Sequence, residues 1–85
     1  MDFAFSSHAL ERMQHRGIDK KMVESILQDP LQIIIQDTIA IHQSIIQQTG
    51  KNYLCRIFVD TEKSTAIIVT VYKTSQIHKY YEGEI

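Results

Sequence analysis

Two histidines and two arginines recur on one side of a predicted helix near the start of the chain. The segment Ser7–Ile18 opens with Ser7, which can cap the first turn, and Gly17 can close the last turn in a left-handed conformation. At roughly 100° per residue, four side chains fall close together on the helix surface. They are His8, Arg12, His15 and Arg16. Arginine binds phosphate or carboxylate and histidine can transfer a proton near neutral pH, so this face is either an anion-binding surface or a solvated helix surface.

A further candidate is Arg56, which stands in the middle of a predicted strand that ends at Asp60. Alternation places Arg56 on the same face as Leu54 and Phe58, where a charge is costly unless it is paired or lies near a cleft. One interpretation is that its aliphatic stem packs on the sheet while its head reaches water. The other is an anion-binding or catalytic arginine on a rigid platform.

More polar and aromatic residues follow near the end of the longest predicted strand, namely Tyr72, Lys73, His78 and Tyr80. Metal-independent RNA cleavage needs a base for the 2′-hydroxyl, cations for the phosphate and an acid for the leaving oxygen. Aromatic rings could stack an unpaired base. The residue types therefore suit a ribonuclease, although the tyrosines could equally be amphipathic residues at the edge of the core.

Composition narrows the class of protein. The 85 residues predict a single domain, 1–85, and nine Lys and Arg against ten Asp and Glu give a net charge of -1. Since non-specific nucleic-acid binders are strongly basic, any RNA contact must use a local patch. One cysteine cannot form an internal disulfide, and we expect a cytoplasmic location. His8 and His15 are too far apart for a pair of zinc ligands one turn apart, so we expect no metal and no cofactor.

Hydrophobic periodicity divides the chain into helices followed by strands. We predict helices over 8–16 and 20–28, the second capped by Asp19 and ended before Pro30. Strands over 39–46, 52–60 and 65–74 are joined by connections that permit only antiparallel neighbours, and residues 2–5 could form a short first strand. This order indicates an α+β domain in which two N-terminal helices pack on one face of an antiparallel sheet of three to four strands.

Several segments resemble the family called domain of unknown function 4258. The resemblance is carried by Ser7-His8-Ala9, Arg12, Arg16-x-Ile18, Tyr53-Leu54-x-Arg56-Ile57-Phe58-Val59, Val69-Thr70-Val71-Tyr72-Lys73-Thr74-Ser75 and Lys79-Tyr80. That family is similar in layout to the RelE/ParE-like toxin superfamily, which has a short strand, two helices and then an antiparallel sheet. Members are typically translation-dependent messenger-RNA endonucleases or gyrase inhibitors neutralised by an antitoxin. The resemblance implies a working site on the sheet, with Arg56, Lys73 and Tyr80 as the matching positions.

Two functional hypotheses follow from the residues and the resemblance together. The first is a metal-independent RNA endonuclease with an antitoxin partner and an RNA or ribosome target. Its catalytic candidates are His8, Arg12, Arg56, Lys73 and Tyr80, and its substrate-binding candidates are His15, Arg16, Tyr72 and His78. The alternative is a non-catalytic interaction or regulatory module with a toxin-like fold, which could form a homodimer through an exposed strand edge.

Overall fold

Five strands and three short helices make up the structure, a computed structural model that describes residues 3–83. The strands are β1 (Phe3–Phe5), β2 (Gln32–Gln36), β3 (Ile39–Gln48), β4 (Lys51–Asp60) and β5 (Ala66–Thr74). The helices are α1 (Ser7–Arg16), α2 (Lys20–Gln28) and α3 (Ile77–Tyr80). Among residues 3–83, no helix is long and apolar enough to cross a membrane.

The strands form one sheet in the order β1-β5-β4-β3-β2. From β2 to β5 each strand is antiparallel to its neighbour, whereas β1 lies parallel to β5. The predicted fold class, with two N-terminal helices and an antiparallel sheet of three to four strands, is therefore wrong. The sheet is five-stranded and mixed, and a third helix follows it. A three-residue strand such as β1 has too little alternation to reveal its partner or its direction from sequence.

Both N-terminal helices begin and end at local signals. The side chain of Ser6, not the predicted Ser7, accepts a hydrogen bond from the Ala9 amide and caps α1. Gly17 ends α1 with a φ of 66°, the left-handed conformation that glycine adopts most easily. Asp19 caps α2 through the Met22 amide, as predicted. The boundaries of α2 also agree with the prediction.

The hydrophobic core lies between the helices and one face of the sheet, which we call the helix-side face. α1 packs mainly on β5 and α2 packs on β3. The core includes Ala9 and Met13 from α1, Val23 and Ile26 from α2, and Cys55, Ile57, Val59, Ile68 and Val71 from the sheet. Apolar burial of this kind contributes most of the stability of a small domain.

An irregularity in β5 decides which side chains share the opposite face of the sheet. Val59 pairs with Ile68, but the next residue back, Phe58, pairs with Thr70, so Val69 is an extra residue in β5. Such a bulge shifts the alternation by one position. Ile68 and Val71 consequently both enter the core, and Tyr72 comes onto the same face as Arg56, its register partner. We call this second surface the arginine face.

Candidate functional site

Arg56 occupies the centre of the arginine face and is only 7% exposed. Its Nε donates a hydrogen bond to the side-chain oxygen of Gln43 at 2.9 Å, and its Nη1 donates to the hydroxyl of Tyr72 at 2.7 Å. Gln43 and Tyr72 stand directly opposite Arg56 on the two neighbouring strands. The regular pairing of β3, β4 and β5 therefore fixes the guanidinium between two neutral partners.

Three aromatic rings surround the same guanidinium. Its central carbon lies 5.3 Å from the ring centroid of Phe58, 5.7 Å from that of Tyr72 and 4.7 Å from that of Tyr80. Phe58 and Tyr72 stack at 5.8 Å with an interplanar angle of 24°, and Tyr72 and Tyr80 meet edge to face at 6.4 Å. Ring faces attract cations, so these three rings stabilise the buried charge of Arg56.

Gln43 and Gln32 form a hydrogen-bonded pair. This pair orients the Gln43 side chain towards Arg56 and links the C-terminal segment to the sheet. Gln43 is fully buried and donates through Nε2 to the side-chain oxygen of Gln32 at 2.6 Å and to the Tyr80 carbonyl at 3.3 Å. Gln32 in turn exchanges hydrogen bonds with the backbone of Glu82. Because its amide hydrogens are used in this way, Gln43 must present its oxygen to Arg56.

Arg16 adds a second guanidinium at the free edge of β5. Its Nη1 donates to the Val71 carbonyl at 2.8 Å, beyond the short stretch where β1 covers that edge. Its central carbon lies 5.9 Å from the Tyr72 ring centroid. Two arginines therefore approach the ring of Tyr72, one from the sheet and one from the last turn of α1. We call Arg16, Gln43, Arg56, Phe58, Tyr72 and Tyr80 the arginine cluster.

All the contacts of Arg56 described above are with neutral groups. They are a carboxamide oxygen, a phenol and three rings, and none of these partners is a carboxylate. A guanidinium stays charged in proteins, and a buried charge without a counter-ion is costly. The arrangement is thus suited to an anionic ligand, which would supply the missing negative charge.

Lys73, a predicted catalytic residue, lies on the opposite face of the sheet. Its register partner is Cys55, a core residue of the helix-side face. The Lys73 ammonium donates to the Gln48 side chain and lies 5.2 Å from the ring centroid of Tyr53. Although adjacent in sequence to Tyr72, Lys73 is therefore separated from Arg56 by the thickness of the sheet.

The remaining predicted site residues are exposed on helices. His8, Arg12 and His15 project from α1, and His78 projects from α3. Within residues 3–83, no hydrogen bond or cation–π contact joins these four side chains to the arginine cluster. Of the nine predicted site residues, the structure brings together Arg16, Arg56, Tyr72 and Tyr80. The catalytic and binding roles assigned to all nine remain predictions.

A family model, described as "Domain of unknown function (DUF4258)", matches residues 5–73. The chain belongs to this family. The matched segment includes Arg16, Arg56 and Tyr72 and ends before Tyr80, so α3 lies outside the part of the chain that defines the family. No curated protein and no solved structure matches the chain. Its placement in the RelE/ParE-like superfamily remains a prediction.

Two titratable groups of this DUF4258 domain are perturbed by burial, and both lie on the helix-side face. Burial raises the pKa of the Cys55 thiol to about 12, against the opposing influence of the Lys73 charge, so the thiol is protonated and a poor nucleophile. Burial lowers the pKa of His42, whose Nδ1 has no hydrogen-bond partner among the described residues. Within residues 3–83, no group of His, Cys, Asp or Glu side chains could hold a metal ion.

The sequence analysis missed Gln43 and Phe58 as site residues. Gln43 interrupts the row of Ile41 and Ile45 on one face of β3, much as Arg56 stands between Leu54 and Phe58 on β4. A polar residue inside an apolar row is costly unless it finds a partner, and these two interruptions are partners across adjacent strands. The alternation within each strand reveals both polar interruptions. Which of them face each other depends on the register between β3 and β4, which the structure provides.

Proposed function

We propose that this protein binds RNA by holding a backbone phosphate at Arg56. One observation carries the proposal: the Arg56 guanidinium is 7% exposed and contacts a carboxamide oxygen, a phenol and three rings instead of a carboxylate. A buried ion pair would satisfy the charge internally, whereas this arrangement leaves it available to a ligand. Because the net charge is -1, RNA affinity has to come from a local site rather than from the overall charge.

The donors of the cluster fit a phosphate group. The described hydrogen bonds of Arg56 use one hydrogen on Nε and one on Nη1, which leaves the rest of the planar fork for phosphate oxygens. The Tyr72 oxygen accepts from Arg56, so the tyrosine hydrogen can itself be donated to the ligand. The Arg16 guanidinium lies 5.9 Å from the Tyr72 ring centroid and can neutralise a neighbouring phosphate.

The rings favour RNA over a small inorganic anion. Phe58, Tyr72 and Tyr80 are partly exposed and lie beside the guanidinium. Aromatic rings next to cationic groups on a sheet are the usual means of binding single-stranded RNA, since each base can stack on a ring while its phosphate meets a charge. One base and its phosphate would therefore occupy this site.

RNA cleavage and a toxin-like role form the wider version of this proposal. Cleavage requires a base and an acid in addition to phosphate binding. Tyrosine hydroxyls are the proton-transfer groups within the arginine cluster, while the histidines predicted for that task are exposed on α1 and α3. The geometry consequently supports binding more strongly than cleavage. Intact RNA after long incubation with the protein would remove the endonuclease hypothesis and leave the binding proposal standing.

The test is a titration of a fluorescently labelled single-stranded RNA of about ten nucleotides with the wild-type chain and with Arg56→Gln. Loss of one charge-assisted phosphate contact predicts at least a tenfold weaker affinity, on the scale of about 1.5–3 kcal/mol for a hydrogen bond to a charged group. The slope of log K against log salt should also fall by about 0.7, the value for one phosphate of a single strand.

The matched control is Lys63→Gln, which removes one exposed cation from the turn between β4 and β5. It changes the net charge by the same amount and should leave RNA affinity within about twofold. Arg56→Lys keeps the charge but loses the fork, and should bind RNA with intermediate affinity. Circular dichroism establishes that each variant is folded. Equal affinities for wild type and folded Arg56→Gln, or equal losses for Lys63→Gln, would overturn the proposal.

A further inference from the structure

Among residues 3–83, the β2 edge of the sheet carries few of the features that normally prevent strand pairing between molecules, and the contact there is between the Gln32 side chain and the Glu82 backbone. β2 is the last strand in the sheet order and has β3 as its neighbour on one side. Its register with β3 is regular from Gln32 to Gln36, without a bulge. The strand sequence Gln-Ile-Ile-Ile-Gln contains no charge and no proline. Edge strands usually carry at least one of these protective features.

The same edge exposes an apolar row. Leu31 is 59% exposed, Ile33 is 49% exposed and Ile35 is 66% exposed. Spaced two residues apart, the three side chains lie on one side of the strand, the helix-side face. α1 packs mainly on β5 and α2 packs mainly on β3, and these three side chains remain exposed beside that helical layer. We call Leu31, Ile33 and Ile35 the edge row.

The edge row of one copy is complementary to the edge row of a second copy that runs antiparallel to it. In an antiparallel pair centred on Ile33, Leu31 of one copy lies opposite Ile35 of the other, and Ile33 lies opposite Ile33. Every member of the row then faces an apolar side chain, and the paired residues of the row carry no charge. A two-fold axis generates this arrangement from one surface patch, which is the usual geometry of a dimer.

We propose that two copies of this chain join through antiparallel pairing of their β2 strands and form a continuous ten-stranded sheet. Backbone hydrogen bonds along the edge and mutual burial of the two edge rows hold the copies together. The exposed side chains amount to a patch of a few hundred Å² per copy, the size that marks interaction surfaces. With the paired backbone, the interface lies near the lower limit of about 1,000 Å² for specific contacts. The dimer is therefore reversible.

Dimerisation places both arginine clusters on the same face of the extended sheet. Paired residues of neighbouring strands lie on the same side of a sheet, so the two-fold axis runs perpendicular to the sheet. The two helix-side faces therefore lie on one side of the extended sheet and the two arginine faces on the other. Arg56 lies on β4, two strands in from the β2 edge, and five strand spacings separate the two copies of β4, roughly 24 Å. This consequence rests on the proposed function; the dimer itself does not. A single RNA strand could reach both sites.

The test is sedimentation of the full chain without RNA, over a concentration range from about 1 to 200 μM, in which the dissociation constant should fall. Wild type should shift from monomer to dimer across this range. Ile33→Lys places two like charges directly opposite each other and should weaken dimerisation at least tenfold. The matched control is Leu10→Lys, which alters an exposed apolar residue on α1 and should dimerise like wild type. Circular dichroism confirms that both variants are folded.

Cross-linking tests the register as well as the surface. Antiparallel partners lie about 4.5–5.5 Å apart between Cα atoms, within the range for a disulfide, so oxidised Ile33→Cys should become a covalent dimer. Leu10→Cys should form few covalent dimers under the same oxidation, and the buried Cys55 does not compete. A monomeric wild type at every concentration, assemblies larger than dimers, or equal dimerisation of wild type and Ile33→Lys would overturn the proposal.

Discussion

Strand β4 contributes side chains to two faces of the sheet, one held together by apolar packing and the other by polar contacts around a buried charge. Cys55 and Ile57 are fully buried in the apolar core, while Arg56 between them points to the arginine face. The helix-side face is covered by two helices and relies on apolar packing. On the arginine face, a buried charge is surrounded by carboxamides, phenols and rings, with the four-residue helix α3 beside it.

The difference separates stability from ligand binding within one sheet. Apolar burial is non-directional and tolerates modest changes of shape, provided that volume is kept. A polar network depends on each partner, because a buried group that loses its partner keeps the whole desolvation cost. Changes on the helix-side face should therefore alter unfolding more than RNA binding. Changes on the arginine face should do the reverse.

The largest expected effect on stability is on the helix-side face. Ile57→Ala leaves a cavity at a fully buried position and should lower the free energy of unfolding by about 2–5 kcal/mol, measured by urea denaturation. The exposed Leu10→Ala should cost much less. Ile57→Val, with an expected cost of about 0.5–1.5 kcal/mol, keeps the protein folded for RNA titration and should bind like wild type. Strongly reduced RNA binding by folded Ile57→Val would break the separation of the two faces.

A smaller loss of stability is expected on the arginine face. Gln43→Leu removes the acceptor of the Arg56 Nε and the donor to Gln32, and should cost about 1–3 kcal/mol of unfolding free energy. The matched control is Gln47→Leu, an exposed position on the same strand, which should change stability by less than about 0.5 kcal/mol. Urea denaturation compares the two variants, and an equal effect would contradict the structural role of Gln43.

The smallest effect concerns pH and His42. Burial lowers the pKa of His42 in the folded state, whereas in the unfolded state His42 keeps its ordinary pKa of 6.5. Between these two values the unfolded chain therefore binds more protons than the folded chain. Stability should therefore fall as the pH is lowered from 7.5 through 6.5 towards the lowered folded pKa. His42→Phe should reduce this fall in urea midpoints, whereas the exposed His78→Phe should not. An unchanged pH dependence in His42→Phe would remove His42 as its source.

The two N-terminal helices and strands β3, β4 and β5 could be predicted from sequence because their signals are local, whereas β2 and α3 were not predicted. Asp19 and Gly17 mark helix ends through their own conformations and hydrogen bonds. β1 could not be placed in the sheet, since three residues do not specify a partner that is adjacent in space but separated along the chain by five other elements. β2 ends at a two-residue turn in which Asp37 adopts a φ of 54°.

The candidate site was partly predictable for a related reason. Arg56 stood out because a charge in an apolar row is unusual, and that observation needs only the sequence. The partnership with Tyr72 depends on the extra residue at Val69, since unbroken alternation from Ile68 would have put Tyr72 in the core and Lys73 on the arginine face. A single bulge thus decides which of two neighbouring predicted site residues, Tyr72 or Lys73, lies on the same face as Arg56.

The most direct test of the central claim is RNA titration of Gln43→Glu. This change places a carboxylate 2.9 Å from the Arg56 Nε and supplies the counter-ion that the cluster lacks. The account predicts a folded protein with at least tenfold weaker RNA affinity, as internal pairing competes with the phosphate. Gln47→Glu adds the same charge four residues along β3 and should have a much smaller effect. Wild-type affinity in folded Gln43→Glu would contradict the claim that Arg56 is kept unpaired for a ligand.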